Sequence, residues 1–203
     1  MTHEEIEQKL TYLLDRQEIA DVITTYCRAV DRLDREALDR AYHEDIVDDH
    51  GVFAGNREEF WDWVRPMHSE FHEVTQHVLS NQLVEIDGDT AHAETYVVFT
   101  GINRTGVPYS QIGGRYVDRL EKQEGCWKIV ARMWIEEYEL PAVNDREAVK
   151  RDQASTVGSI FGPRETAMIA TRPTPKRDRT DPSYRRPLEV DENRLEKCRN
   201  FSE

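Results

Sequence analysis

The stretch Thr75-Gln-His77-Val-Leu79-Ser-Asn81-Gln-Leu83-Val-Glu-Ile-Asp87-Gly88-Asp89 decides the fold. His77, Leu79, Asn81 and Leu83 recur at a two-residue period, as in a strand with one covered face. Asp87-Gly88-Asp89 ends it with hairpin chemistry, because Gly and Asp tolerate the left-handed backbone of a tight turn. Residues 91–100 pair back on it. A Gly-containing loop at 101–108 leads into a strand over about 110–120. The turn at Glu124-Gly125 starts the last strand, 126–139, on which Val130, Arg132, Trp134 and Glu136 share a face.

Upstream the period changes to three and four. Ile19, Val22, Ile23, Tyr26, Cys27 and Val30 form one stripe of a helix over roughly 16–32. Asp34 is placed to cap a second helix at about 35–43. Asn56 with Glu59 opens a third as a capping box, with Phe60, Val64, Met67 and Phe71 on one face and Pro66 predicted to kink or interrupt it. The order is helix, helix, short strand, helix, then four long antiparallel strands. That is an α+β plan in which a curved sheet wraps a long helix and leaves a pocket between them.

Composition narrows the function. The 203 residues carry 40 acidic and 27 basic side chains, a formal charge of -13. A sequence-independent nucleic-acid binder needs the opposite balance, and an acidic membrane surface is an unlikely partner for the same reason. The first residues lack the positive flank and apolar run of a signal peptide, which predicts a cytoplasmic protein. Cys27, Cys126 and Cys198 are widely spaced and form no CxxC pair, so neither a disulfide framework nor a structural zinc site is indicated. Residues 1–140 hold 29 acidic and 14 basic side chains, against 11 and 13 in residues 141–203, and all four Trp precede the boundary. The packed domain is therefore expected at 1–140. Residues 141–203, with Thr171-Arg-Pro-Thr-Pro175 and a basic run from Lys176 to Arg186, read as an extended arm that packs on the domain or wraps a neighbouring subunit.

Five motifs then carry a resemblance: Tyr26-Cys-Arg-Ala-Val-Asp31, Asp48-Asp-His50-Gly, Thr75-Gln-His77 with Asn81, Gly113-Gly-Arg-Tyr116-Val-Asp118, and Gly125-Cys-Trp127-Lys-Ile. Over residues 10–140 the chain resembles a SnoaL-like protein of the nuclear-transport-factor-two-like superfamily, and Arg177-Asp-Arg-Thr-Asp-Pro-Ser-Tyr184 looks like the ending of some members. The resemblance implies a cone-shaped, cystatin-like α+β barrel. It also implies kinship with cofactor-free lyases: scytalone dehydratase, hexachlorocyclohexane dehydrochlorinase and bile-acid dehydratase. An Asp ending the first long helix and a His on the first long strand carry over to Asp31 and His77. A Tyr five residues before the Asp matches Tyr26, and a catalytic Tyr of scytalone dehydratase falls near His50. An Asp and an Arg of the bile-acid enzyme fall at Phe99 and Glu136, so its steroid substrate does not carry over.

Elimination beside an acidic C–H needs a base at carbon and a proton donor at the leaving group. His77 titrates in the useful range, and a carboxylate on its far nitrogen, here Asp31, fixes the tautomer. Tyr26, one turn back, is placed to donate to an oxygen where charge accumulates. Val97, Phe99, Leu79 and Trp134 are expected to line an apolar pocket, with His50, Asn81 and Arg132 as polar contacts and Arg132 as an anion or carbonyl anchor that competes with pairing to Glu136. His68 and His72 have zinc-like spacing, but their surroundings suit a solvated flank, and no metal site is expected. No phosphate loop or flavin signature is present, so no cofactor is expected.

The leading expectation is a cofactor-independent lyase acting on a hydrophobic cyclic or aromatic hydroxylated substrate. Its reaction is a dehydration or a related elimination, including one that releases formaldehyde. The resemblance implies a homo-oligomer, a trimer ahead of a dimer. The alternatives are a non-catalytic partner resembling the small subunit of a ring-hydroxylating dioxygenase, or an isomerase or cyclase working through an enolate.

Overall fold

The computed structural model describes residues 1–140, 162–174 and 179–200. Helix α1 spans His3–Arg32, thirteen residues earlier than its apolar stripe suggests. The reason is a capping box: the Thr2 hydroxyl accepts from Glu5 N–H at 3.1 Å, and the Glu5 carboxylate accepts from Thr2 N–H at 2.8 Å. Ile6, Leu10, Leu13 and Leu14 in this first half are exposed, so no buried stripe marks it. The second half buries Ile19, Ile23, Tyr26, Cys27 and Val30.

Helix α2 (Arg35–Ala41) is capped by Asp34, whose carboxylate accepts from Ala37 N–H at 3.0 Å. Strands β1 (Tyr42–Asp49) and β2 (Ala54–Gly55) follow, then α3 (Arg57–Phe71), opened by the Asn56–Glu59 capping box. Helix α3 continues through Pro66 to Phe71. The ring removes one backbone donor without ending the helix, because Phe60 and Val64 are already packed in the core.

Strands β3 (His72–Asp87), β4 (Thr90–Asn103), β5 (Tyr109–Gln123) and β6 (Cys126–Leu140) complete a six-stranded sheet in the order β2-β1-β6-β5-β4-β3. Every pairing is antiparallel except β1 with β6. The sheet is open, with β2 and β3 as edges, and α1 packs against β3 and β6.

Register shifts decide which side chains face α1. One lies between Leu79 and Gln82 of β3. Thr75, His77 and Leu79 face inward before it, and Gln82, Val84 and Ile86 after it, while Asn81 and Leu83 turn to solvent. The expectation that Asn81 contacts substrate is thereby corrected. A second shift, between Ile129 and Ala131, makes Val130 the extra residue of β6 and leaves Arg132, Trp134 and Glu136 inside without it. A third lies between Gly113 and Gly114. A Cβ on Gly114 would meet the Ile135 carbonyl oxygen at 2.2 Å and the Trp134 ring at 2.8 Å, so the missing side chain is what lets Trp134 lie across β5.

After the sheet, the described residues form helix α4 (Pro163–Ile169), a 3-10 turn at Pro182–Tyr184 and helix α5 (Glu192–Arg199). Met168 of α4 and Leu195 and Cys198 of α5 join the main core, while Leu188 and Asp181 lie on the outer face of the sheet. Leu188 joins Val117, Ala131, Met133 and Ile135, and Asp181 pairs with Arg115 at 3.1 Å. The described part of the arm is partly helical; residues 141–161, 175–178 and 201–203, which include the start of its basic run, lie outside the described residues. The acidic surplus of the core supplies its partners: Arg186 pairs with Glu85 at 2.7 Å and Arg194 with Asp49 at 2.6 Å.

Candidate active site

Asp31 lies one residue before the end of α1, where the helix delivers its side chain to β3. Its Oδ1 accepts from His77 Nδ1 at 2.7 Å and its Oδ2 from the His77 backbone N–H at 2.9 Å. Burial raises the Asp31 carboxyl, but the hydrogen bonds and charge of His77, with a bond from the Thr75 hydroxyl, outweigh it and hold the group below its ordinary value. With the proton on Nδ1 fixed by the carboxylate, the Nε2 lone pair is the one left for chemistry.

His77 lines a cavity of about 160 Å³ between α1, α3 and the sheet. Val30, Val64, Met67, Phe99, Ile112 and Trp134 supply its apolar walls, and Tyr26, His50 and Tyr116 line it as well. An apolar cavity of roughly 150 Å³ is large enough for a benzene ring. Glu136, Glu139, Ile169 and Arg172 also line it. Burial, reinforced by Glu136, raises the Glu139 carboxyl. Arg172, from the segment after α4, donates to Glu136 at 3.2 Å.

A second carboxylate–imidazole pair also borders the cavity. Asp48, fully buried at the end of β1, accepts from His50 Nδ1 at 2.8 Å and from the Tyr42 hydroxyl. His50 Nε2 lies 3.3 Å from the Tyr26 hydroxyl. Burial raises the Tyr26 phenol strongly, against the pull of Arg132, so it keeps its proton at neutral pH.

Two histidines expected on a solvated flank line the cavity instead. His68 donates from Nδ1 to the Val30 carbonyl at 3.0 Å, and burial beside His77 pushes it down to about 4. His72 donates to Asn103 Oδ1 at 2.8 Å and is likewise lowered by burial. Their rings pack about Phe99, with centroids 5.8 Å and 5.5 Å from it. Among the described residues, no group of three or more His, Cys, Asp or Glu is arranged to hold a metal ion.

Three further expectations are corrected by packing. Arg132 is fully buried and bidentate with Asp118, both bonds 2.7 Å, directly across the β5–β6 ladder. Its guanidinium lies 4.0 Å from the ring centres of both Tyr26 and Tyr116, outside the cavity lining, and pairs with Asp118 rather than with Glu136. Val97 is buried in the main core, and Leu79 packs against that core, so neither lines the cavity. Phe99, Trp134, His50, Tyr26 and His77 do. The sequence alone does not single out Asp48 behind His50, nor His68, His72, Ile169 and Arg172 as cavity-lining residues. The i, i+2 spacing of Asp48 and His50 on one strand face was the available signal for the first.

The Asp31–His77 and Asp48–His50 pairs sit inside a matched domain: a model of the SnoaL-like domain covers residues 11–133. The chain belongs to the SnoaL-like family. An uncharacterized protein of Mycobacterium tuberculosis is 29% identical over 126 residues, covering 59% of this SnoaL-like chain and 83% of its own. The fold is also that of a type-3 hexachlorocyclohexane dehydrochlorinase from Novosphingobium barchaimii, with a TM-score of 0.62 at 19% identity over 68% of this chain and 96% of that one. A scytalone dehydratase-like protein from Novosphingobium aromaticivorans aligns with a TM-score of 0.61 at 20% identity, over 68% and 93% of the two chains. No helix among the described residues is long and apolar enough to cross a membrane.

Proposed function

We propose that this SnoaL-like chain is a cofactor-independent lyase that eliminates water, or a related leaving group such as formaldehyde, from a hydrophobic cyclic or aromatic hydroxylated substrate. The observation that carries the reading is the Asp31–His77 pair, 2.7 Å apart at the wall of an apolar cavity of ring size. His77 Nε2 takes the proton from carbon, and Asp31 stabilises the imidazolium as it forms, which is worth roughly 10²–10⁴ in rate. Tyr26, kept protonated by burial, donates to oxygen. The apolar walls bind the ring, and the dehydrochlorinase and dehydratase folds are in keeping with such chemistry. An isomerase would use the same groups, and product mass separates it from a lyase.

The test uses 5-nitrobenzisoxazole, in which removal of the C3 proton breaks the N–O bond and releases a coloured cyanophenoxide. The chain should catalyse this elimination, and His77→Ala should abolish it with the fold retained by circular dichroism. Equal rates in both would remove His77 from the mechanism. We further propose a cytoplasmic homotrimer acting in aromatic-compound breakdown. Self-association is supported by the exposed Val74, Val78 and Tyr96 on the outer face of β3 and β4, and light scattering measures it.

A further inference from the structure

We propose that Tyr42, Asp48, His50 and Tyr26 form a proton relay, a second acid–base device opposite the Asp31–His77 pair that protonates the departing oxygen. The inference rests on the lyase reading above and names the groups that return a proton to Tyr26.

The relay is built like a transfer chain rather than a turn. Asp48 is fully buried and spends its oxygens on Tyr42 and on His50 Nδ1. That fixes the His50 tautomer and aims Nε2 at Tyr26, 3.3 Å away. The His50 ring is clamped by Trp134, stacked at 6.4 Å with an interplanar angle of 13°, and by Phe60 at 5.3 Å. A residue that only closes a turn needs neither a buried carboxylate nor a cavity-facing nitrogen.

Tyr26 and Asp31 are five residues apart on α1, about 7.5 Å along its axis at 1.5 Å per residue, so the two devices meet the cavity from different turns of the helix. One imidazole working alone must reach both the C–H and the leaving group. Two imidazoles on one cavity divide the work.

The step balances as follows. His77 Nε2 takes the proton from carbon, and the C–H electron pair becomes the new π bond. The bond to the leaving oxygen breaks, its electron pair staying on oxygen. Tyr26 gives its hydroxyl proton to that oxygen and receives one from protonated His50, whose positive charge Asp48 has held. His77 ends protonated and His50 neutral, and proton exchange with water resets both.

The experiment compares 1,2-benzisoxazole with its 5-nitro derivative. The nitro compound expels a phenoxide stable enough to leave unaided, whereas the parent compound gains more from an acid at the leaving oxygen. His50→Phe, Asp48→Asn and the packing-neutral Tyr26→Phe should each slow the parent compound about tenfold more than the nitro compound, within the range of general acid catalysis. Equal losses on both compounds, or none, overturn the relay while leaving His77 in place. Loss of both activities in His77→Ala supports the underlying reading, and their survival there overturns that reading instead. Asp48→Asn keeps the side chain's shape and reaches Tyr26 only through His50, so it decides the matter even where His50→Phe does not fold.

Discussion

Asp31 holds His77 twice, by its imidazole and by its backbone N–H, using one carboxylate oxygen for each. The pair therefore fixes the tautomer of the ring and the position of β3 against α1 with the same group.

Asp31→Asn should separate these roles. The amide still reaches the backbone but presents a donor or a weaker acceptor to Nδ1, so the favoured tautomer changes. Elimination of 5-nitrobenzisoxazole should fall by about 10²–10⁴. Stability should fall by only about 2 kcal/mol, the scale of charge-assisted hydrogen bonds, as read from urea unfolding.

His68 makes folding sensitive to mild acid. Its pKa falls from 6.5 to about 4 on burial, so between these values the unfolded chain binds a proton that the native chain refuses. Stability is then present in full above pH 6.5 and declines as pH drops toward 4, by up to about 1.4 kcal/mol per pH unit. The lowered His72 acts in the same direction. Asp31, held below its ordinary value, adds a loss only at still lower pH. Urea midpoints across this range should show the slope, and His68→Gln should reduce it, with His72 and His92 keeping the remainder.

Arg132 and Asp118 form a fully buried ion pair. Arg132→Leu strands the Asp118 carboxylate in the core and should cost about 3–5 kcal/mol, whereas the double change to Leu at both positions should restore much of the loss. Urea denaturation of the single and double variants measures both effects.

Arg194 ties α5 to two other places. It reaches Asp49 at 2.6 Å and the Gly51 carbonyl at 2.6 Å on the stretch that carries His50. It also reaches the Met168 carbonyl at 3.1 Å and the Thr171 hydroxyl at 3.0 Å beside Ile169 and Arg172. Arg194→Ala should make residues 162–174 accessible to limited proteolysis and lower the melting temperature, with mass spectrometry locating the cuts.

Much of this architecture was legible because it rests on period and capping. The Ile19–Val30 stripe, the Asn56–Glu59 box and the turns at Asp87-Gly88 and Glu124-Gly125 are local signals, and the Asp31–His77 meeting followed from placing two motifs on the expected fold. Bulges hid the remainder. The shift after Leu79 inverts the parity of β3, so Asn81 points outward although it lies two residues from an inward Leu79. Long-range pairing hid Arg132, because its partner Asp118 is set by strand register and not by neighbours in sequence. The first half of α1 carries no buried stripe, and its start is written instead in Thr2 and Glu5.

Ile169 and Arg172 border the cavity from a segment that no catalytic motif includes. Substitutions after α4 can therefore reshape the cavity's rim without touching Asp31, His77 or the sheet that carries them.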